Sequence, residues 1–494
     1  MSLAVEDIRL SQNRRLPSRA EVDRLEHLVV LAASPAALAT LPYGALLAQR
    51  LRRERSAGGR RLLLTDLPNA VGTRVTLGTL AAAEPAFQRL TLARRLLAAH
   101  APYRPRSLAL AVAGYDDAGA VSAAEALVSA ALAAVAQLPD LKSIPAPGAR
   151  LRRLRLFGAR DEQAMQRSFA EAEGNALARE LSILPPNRLT PGHYLRRLRA
   201  LADAHGWQLR FHGVRELARR GAGAFLAVAQ GSPEADAGIA RLSYRPHQAE
   251  AAPVALVGKG ICYDTGGVNL KPARYMYGMH EDMQGSAVAL GTLLALTRLQ
   301  VNFAVDCWLA LAMNHVGSRA YKPNDVVTAL NGTTIEVVHT DAEGRMVLAD
   351  TLALAGARRD LGLLLDYATL TGSCMQALGT AYSGVFSNRP AYLAELIAAG
   401  QASGERVWPF PLDADYDQGL QSSIADVKQC APDGQADHIL AARFLQRFIR
   451  PGLPWIHLDL ASSSHKGGLA HVPTATTGFG VRFSLRLLLD HDLD

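Results

Sequence analysis

The chain has 494 residues, 49% hydrophobic and 20% charged, which excludes a lone small module and a disordered polar chain and supplies enough apolar material for two or three packed domains. Its formal net charge is +8, and the whole excess lies in residues 1–180, where 25 Lys and Arg face 17 Asp and Glu, while 28 face 28 over residues 181–494. The four cysteines, Cys262, Cys307, Cys374 and Cys430, stand far apart without Cys-x-x-Cys or Cys-x-His spacing, which speaks against a disulfide framework and a cysteine-ligated zinc and points to a reducing, cytoplasmic compartment.

Residues 1–15 mix acids and bases without an apolar run, so no export signal is expected there. Short β-type runs follow at His27 to Ala32, Arg61 to Asp66, Leu108 to Gly114 and Leu151 to Phe157. They alternate with alanine- and leucine-rich helical runs such as Val121 to Gln137, the pattern of an α/β layer domain. The long apolar stretch Ala118 to Leu138 is alanine-dominated and carries Glu125, which reads as a buried helix and not a membrane span. The arginine excess keeps this surface solvated; the sharper alternative is a patch for a polyanion. A helix is predicted over Asp161 to Leu181, stopped by Pro185-Pro186. These signals divide the chain into a smaller α/β domain over 1–160, a linking helix over 161–186 and a larger domain over 187–494. In the last, the strands Val254 to Val257, Phe303 to Ala312, Ile335 to Val338, Leu361 to Tyr367 and Trp455 to Leu460 are apolar on both faces. A mixed, mainly parallel sheet sandwiched between helices is expected.

Ionisable residues crowd between 257 and 345, at the ends of these strands. In Val257-Gly258-Lys259-Gly260-Ile261-Cys262-Tyr263-Asp264-Thr265-Gly266-Gly267, continuing to Lys271, glycines let the backbone come close to whatever Lys259 and Asp264 hold; the plain alternative is an Asp turn. Asp282 precedes the helical run Gln284 to Leu299 and has the position of a helix N-cap, a role compatible with aiming its carboxylate into a cleft. In Thr340-Asp341-Ala342-Glu343-Gly344-Arg345, an extended segment ahead of a helix from Met346, alternate residues Asp341, Glu343 and Arg345 face one side. Asp264, Asp282, Asp341 and Glu343 are four negative charges that need compensating cations if buried together. Two divalent ions about 4 Å apart would supply them, share a bridging water and lower its pKa toward neutrality. Hydrolysis is the chemistry this favours. Lys259, wedged between glycines, is assigned the role of an uncharged amine ligand, Lys271 that of an ammonium polarising the substrate carbonyl, and Arg345 that of holding a small anion or the tetrahedral intermediate. Ser373 and Cys374 show no evident His partner, no Gly-x-Ser-x-Gly elbow is present, and Gly258-Lys259 lacks the spacing of a phosphate loop.

These motifs, above all Thr340 to Arg345, resemble the leucyl (cytosol) aminopeptidase family over about residues 170–485, with Arg319 to Asp325 and Ala368 to Gly372 in support. The resemblance implies a two-domain α/β subunit, a homohexamer and removal of N-terminal amino acids from peptide substrates. It implies that Lys259, Asp264, Asp282, Asp341 and Glu343 bind two divalent metal ions, zinc or manganese, with magnesium also admitted. Lys271 and Arg345 would be catalytic, the arginine holding a bicarbonate base, and Met279, Thr369, Ala461 and Ser464 would line the pocket for the first side chain. His339, His280-Glu281 and Ala436-Asp437-His438 depart from the family pattern; His339 is expected to support the metals from behind their ligands. Serines at 462–464 make the pocket floor polar and weigh against a preference for leucine. No membrane partner is expected. The alternative from another class is a DNA-binding regulator acting through the basic first third, although no helix-turn-helix or aromatic-basic interleaving accompanies it.

Overall fold

The apolar runs of the first third build a six-stranded sheet in the computed structural model, which describes residues 5–56, 62–491 and 493. Its strands are β1 (Arg9–Asn13), β2 (His27–Ala32), β3 (Leu62–Asp66), β4 (Arg74–Thr79), β5 (Ser107–Ala113) and β6 (Arg153–Phe157). The spatial order is β1-β6-β5-β2-β4-β3, parallel throughout except β3 against β4. The predicted Arg61 start of β3 lies outside the described residues. Successive residues of β2 feed opposite cores: Val29 and Leu31 pack on one face, Leu28, Val30 and Ala32 on the other. That two-sided burial is why such strands read as continuous apolar runs. Helices α1 (Ala86–Ala98) and α2 (Asp117–Val135) cover the first of these faces. Asp116 caps α2, its side chain accepting from Gly119 N at 2.8 Å. By length and composition α2 could cross a membrane; its Ala123, Leu127, Ala130 and Ala131 are instead core residues, as the alanine-rich sequence led us to expect.

Helix α3 (Glu162–Ile183) follows, and the division between two compact units falls inside it. One unit runs to Ala176 and includes Gln401–Glu405 and Lys466–Thr477; the other comprises Leu177–Gly400, Arg406–His465 and the chain from Gly478. The sequence reading placed boundaries at 160 and 186 because prolines mark where a helix stops. They do not mark where its side chains change cores, and short distant segments that join the first unit carry no local signal.

The second unit holds β7 (Gln208–Gly213), β8 (Gly238–Tyr244), β9 (Ala251–Asp264), β10 (Phe303–Asn314), β11 (Val326–Thr328), β12 (Thr334–Glu336), β13 (Leu363–Ala368), β14 (Ser383–Ser387), β15 (Val407–Pro409), β16 (Val427–Lys428) and β17 (Trp455–Asp459). Eight of them form a mixed sheet in the order β15-β14-β17-β13-β9-β10-β8-β7. Its central strands β17, β13, β9 and β10 are mutually parallel, and β14 on β17 and β8 on β10 run antiparallel. Every residue of β10 is buried. Helices α4 (Gln284–Arg298), α5 (Glu343–Ala355), α6 (Gly372–Leu378) and α7 (Asp437–Gln446) belong to this unit. The predicted strand Ile335 to Val338 is not part of the large sheet. Only Ile335 and Val337 of that run are fully buried, and the segment forms the short β12 of a separate sheet ordered β11-β12-β16. Registers Asn314↔Asp264 and Ala368↔Asp459 bring the carboxyl ends of the central parallel strands to one edge, where ligands gather in open α/β sheets.

Candidate metal centre

Strand β9 ends on Asp264, whose Oδ1 accepts from Asn314 Nδ2 and from the Gly266 N–H, each at 2.8 Å. Gly266 has φ +86°, a left-handed conformation that glycine adopts without strain, and this turn leads the chain on to Lys271. Lys259, earlier on β9, points its Nζ at Asp282 Oδ1 and Glu343 Oε1, both 2.8 Å away, and at the Thr369 carbonyl, 2.9 Å away. A Cβ on Gly344 would stand 2.7 Å from Lys259 Cε, so the close approach of that lysine requires the glycine between Glu343 and Arg345. Lys271 Nζ lies 2.8 Å from Asp264 Oδ2 and 2.6 Å from Asp341 Oδ1. Carboxylate oxygens of Asp264, Asp341 and Glu343 all fall within 4.8 Å of one another, and Lys259 ties Asp282 to them.

Four carboxylates against two lysines leave the cluster short of positive charge. Burial pushes Asp282 well above the usual carboxylate range, with Glu343 and Asp264 adding to the effect and Lys259 opposing it. Asp341 is raised to about 7 by burial and then by Asp264 and Glu343. Burial alone would make both lysines more acidic; Asp282 and Glu343 around Lys259, and Asp264 and Glu343 around Lys271, outweigh it and hold both above the ordinary lysine value. Asp282 Oδ2 and Glu343 Oε2 are buried without a hydrogen-bond partner, a costly state for a carboxylate oxygen. Oxygen-rich, negatively charged and unsatisfied, this donor set fits divalent cations.

The structure brings Lys259, Asp264, Lys271, Asp282, Asp341 and Glu343 together, and it corrects how they get there. Asp282 is not an N-cap: it closes the short turn Met279–Glu281, Met283 precedes α4 without a side-chain cap, and the Asp282 carboxylate is taken up by Lys259 and Thr369. Nor is 341–345 extended. Glu343 opens α5 and Arg345 lies in its first turn, so Arg345 turns to Asp437, with Nη2 2.7 Å from Asp437 Oδ1, and to the Gln429 carbonyl, 3.2 Å from Nη1. Where the sequence reading gave Lys259 an uncharged amine and Lys271 a free ammonium, both lysines have carboxylate partners. Ser373 does have a histidine: its Oγ lies 3.1 Å from His438 Nδ1 and accepts from the His438 N–H at 2.9 Å, a pairing across the fold that no local pattern announces.

Of the pocket residues, Thr369 Oγ1 donates to Asp282 Oδ1 at 2.8 Å, and Met279 opens the half-buried turn before Asp282. Ala461 follows directly on β17, its N–H donating to the Asp459 carbonyl at 2.9 Å. Ser464 is exposed, whereas Ser462 and Ser463 are buried. His339 Nδ1 accepts from the Asp341 N–H at 3.3 Å, behind the carboxylate. One positioning residue escaped the sequence reading: buried Asp459 accepts from Thr371 Oγ1 at 2.6 Å and from the Leu370 and Thr371 N–H groups at 3.2 and 3.3 Å. It thereby fixes the loop whose Thr369 carbonyl holds Lys259. Its only signal was an acid ending an apolar strand.

An acid-lysine cluster at the carboxyl edge of a mixed α/β sheet, with carboxylate oxygens left for cations, defines a metal-dependent aminopeptidase. The catalytic domain of the cytosol aminopeptidase family matches residues 176–485, and the chain belongs to that family. A probable cytosol aminopeptidase of Syntrophotalea carbinolica is 42% identical over 66% of this chain and 65% of its own length. The bottromycin maturation enzyme BotP, solved in complex with Mn, superposes with a TM-score of 0.82 at 32% identity, covering 94% of this chain and 98% of BotP. A tomato leucine aminopeptidase variant superposes with a TM-score of 0.85 at 25% identity over 98% of this chain and 97% of its own. The likeness to these structures extends over both units and bears out the expected α/β fold.

Proposed function

We propose that the chain removes N-terminal amino acids from peptides with two divalent ions held by Lys259, Asp264, Asp282, Asp341 and Glu343. The observation that carries this is the pair of buried, unpartnered oxygens on Asp282 and Glu343 beside Asp264 and Asp341. Bound there, the ions supply Lewis acidity and a nucleophilic water at neutral pH. Manganese is the first candidate, by likeness to the Mn complex of BotP, with zinc and magnesium as competitors.

The chain's own residues do the rest. Lys271, once its carboxylates bind cations, points an ammonium at the oxyanion growing on the scissile carbonyl. Lys259 keeps Asp282, Glu343 and the Thr369 carbonyl in register, and Asp459 steadies that loop. Met279, Thr369, Ala461 and Ser464 are proposed to bound the pocket for the first side chain. Resemblance implies a bicarbonate on Arg345; here both Nη groups already donate, to Asp437 and Gln429. The residues around Arg345 do not fit a second anion, and no step is derived through one. By likeness to the family the assembly is a homohexamer and the compartment the cytoplasm; the nucleic-acid alternative gains no support from these likenesses.

The test is hydrolysis of a panel of aminoacyl reporters by metal-stripped and metal-restored protein. Turnover should require the added ion and reject reporters with a blocked α-amine. Undiminished turnover in fully stripped protein would overturn the reading.

A further inference from the structure

We propose that Asp437 is the chain's built-in anion for Arg345: its carboxylate takes the donor face that a dissolved oxyanion would otherwise occupy and accepts the proton of the attacking water. The inference deepens the aminopeptidase reading and rests on it.

Arg345 is always charged, and its side chain is only 2% exposed, so it needs an anion close by. Asp437 provides one at 2.7 Å, from 92 residues further along the chain. The placement is built. Asp437 is the first residue of α7, and Ala436 before it has φ 48° and ψ 31°, a left-handed conformation that costs a non-glycine residue about 1–2 kcal/mol. The start of α7 carries no side-chain cap, so Asp437 is not spent on its own helix. His438, next in sequence, is pinned by Ser373 through its N–H. The strained backbone and the pinned neighbour together aim Asp437 at the guanidinium.

Asp437 also differs from the other carboxylates around the cluster. Asp264, Asp282, Asp341 and Glu343 face lysines; Asp437 faces only Arg345 among the ion pairs of the described residues, with its side chain 27% exposed. It stands on the cluster's side of the arginine, since His339 feels the charges of both Lys271 and Asp437. The step balances without a co-reactant. As the water oxygen bonds to the scissile carbonyl carbon, its proton passes to Asp437; as the C–N bond breaks, that proton passes to the leaving nitrogen. Arg345 is then a positioning residue for this carboxylate.

The test compares wild type, Asp437→Ala and Asp437→Asn, each reconstituted with Mn2+, in carbonate-free buffer and across a bicarbonate series. Wild-type kcat should change less than about 2-fold, whereas both variants should lose about 100-fold in kcat, the usual worth of a positioned base, with KM little changed. Bicarbonate should restore Asp437→Ala, which leaves room for the ion, more than Asp437→Asn. Line broadening of 13C-bicarbonate should appear with Asp437→Ala, including its Mg2+-loaded form, and not with wild type. Unchanged metal content and a cooperative melt show that the variants are folded. Bicarbonate activation of wild type, full kcat of Asp437→Ala without bicarbonate, or no bicarbonate binding by that variant would each overturn the proposal. If wild type hydrolyses no reporter, the aminopeptidase reading fails instead, and the binding comparison still decides whether Asp437 fills the anion position.

Discussion

Replacing Asp341 by Asn should stabilise the metal-stripped protein and abolish its stabilisation by metal. With its carboxyl raised to about 7 from the ordinary 3.8, the folded state binds the proton more tightly than the unfolded state. The stability this group contributes is therefore complete below about pH 4 and is lost as pH rises through about 7. The gap corresponds to about 4 kcal/mol at 1.36 kcal/mol per pH unit. Asp341 is 27% exposed and also loses Lys271 as a partner, so we expect Asn to return about half, ~2 kcal/mol, at pH 8 and nothing at pH 4. Metal should reverse the ranking. At an ion concentration 100-fold above Kd the wild type gains about 2.7 kcal/mol, and a variant whose Kd has risen 100-fold gains only about 0.4 kcal/mol. Denaturant unfolding of both proteins at pH 4 and pH 8, with and without Mn2+, measures all of these quantities. A variant less stable than wild type in metal-free buffer at pH 8, or one equally stabilised by Mn2+, would refute the reasoning.

Lys271→Met should lower kcat by about 100-fold or more with KM little altered, since an oxyanion donor acts chiefly in the transition state; steady-state kinetics on a dipeptide checks it, and an equal rise in KM would contradict it. Asp459→Ala should leave three donors of the 370–371 loop unpartnered, costing about 1–3 kcal/mol in urea unfolding, and should reduce kcat through the Lys259 loop while metal content holds. Asp366→Ala removes the buried acceptor of Trp455 Nε1 and the partner of His457 Nδ1, both at 2.6 Å. It should destabilise the protein by about 3–5 kcal/mol, seen as a lower urea midpoint; a midpoint unmoved within error would show that the pair contributes nothing.

The cluster was legible because its chemistry is local: Lys259 to Lys271 and Asp341 to Arg345 each sit in a few consecutive residues at a strand end. What topology brings from afar was not. Asp437 reaches Arg345, His438 reaches Ser373 and Asp459 reaches the 370–371 loop across 92, 65 and 88 residues. Within the fold, the core strands β2, β5, β10 and β13 announced themselves by unbroken apolar runs. Strand β1, Arg-Leu-Ser-Gln-Asn with alternate residues exposed, carries no such signal, because it lies at a sheet edge. Asp282 was read as a cap because a lone acid before a helix satisfies backbone donors in most contexts; here Lys259 competes for it and wins.

Metal stoichiometry measured by native mass spectrometry, on wild type and on the Asp341→Asn/Glu343→Gln double variant after equilibration with excess Mn2+, reaches the central claim most directly. The account predicts two ions per wild-type chain and at most one in the variant; a wild-type chain that takes up none, or a double variant that retains both, would contradict it.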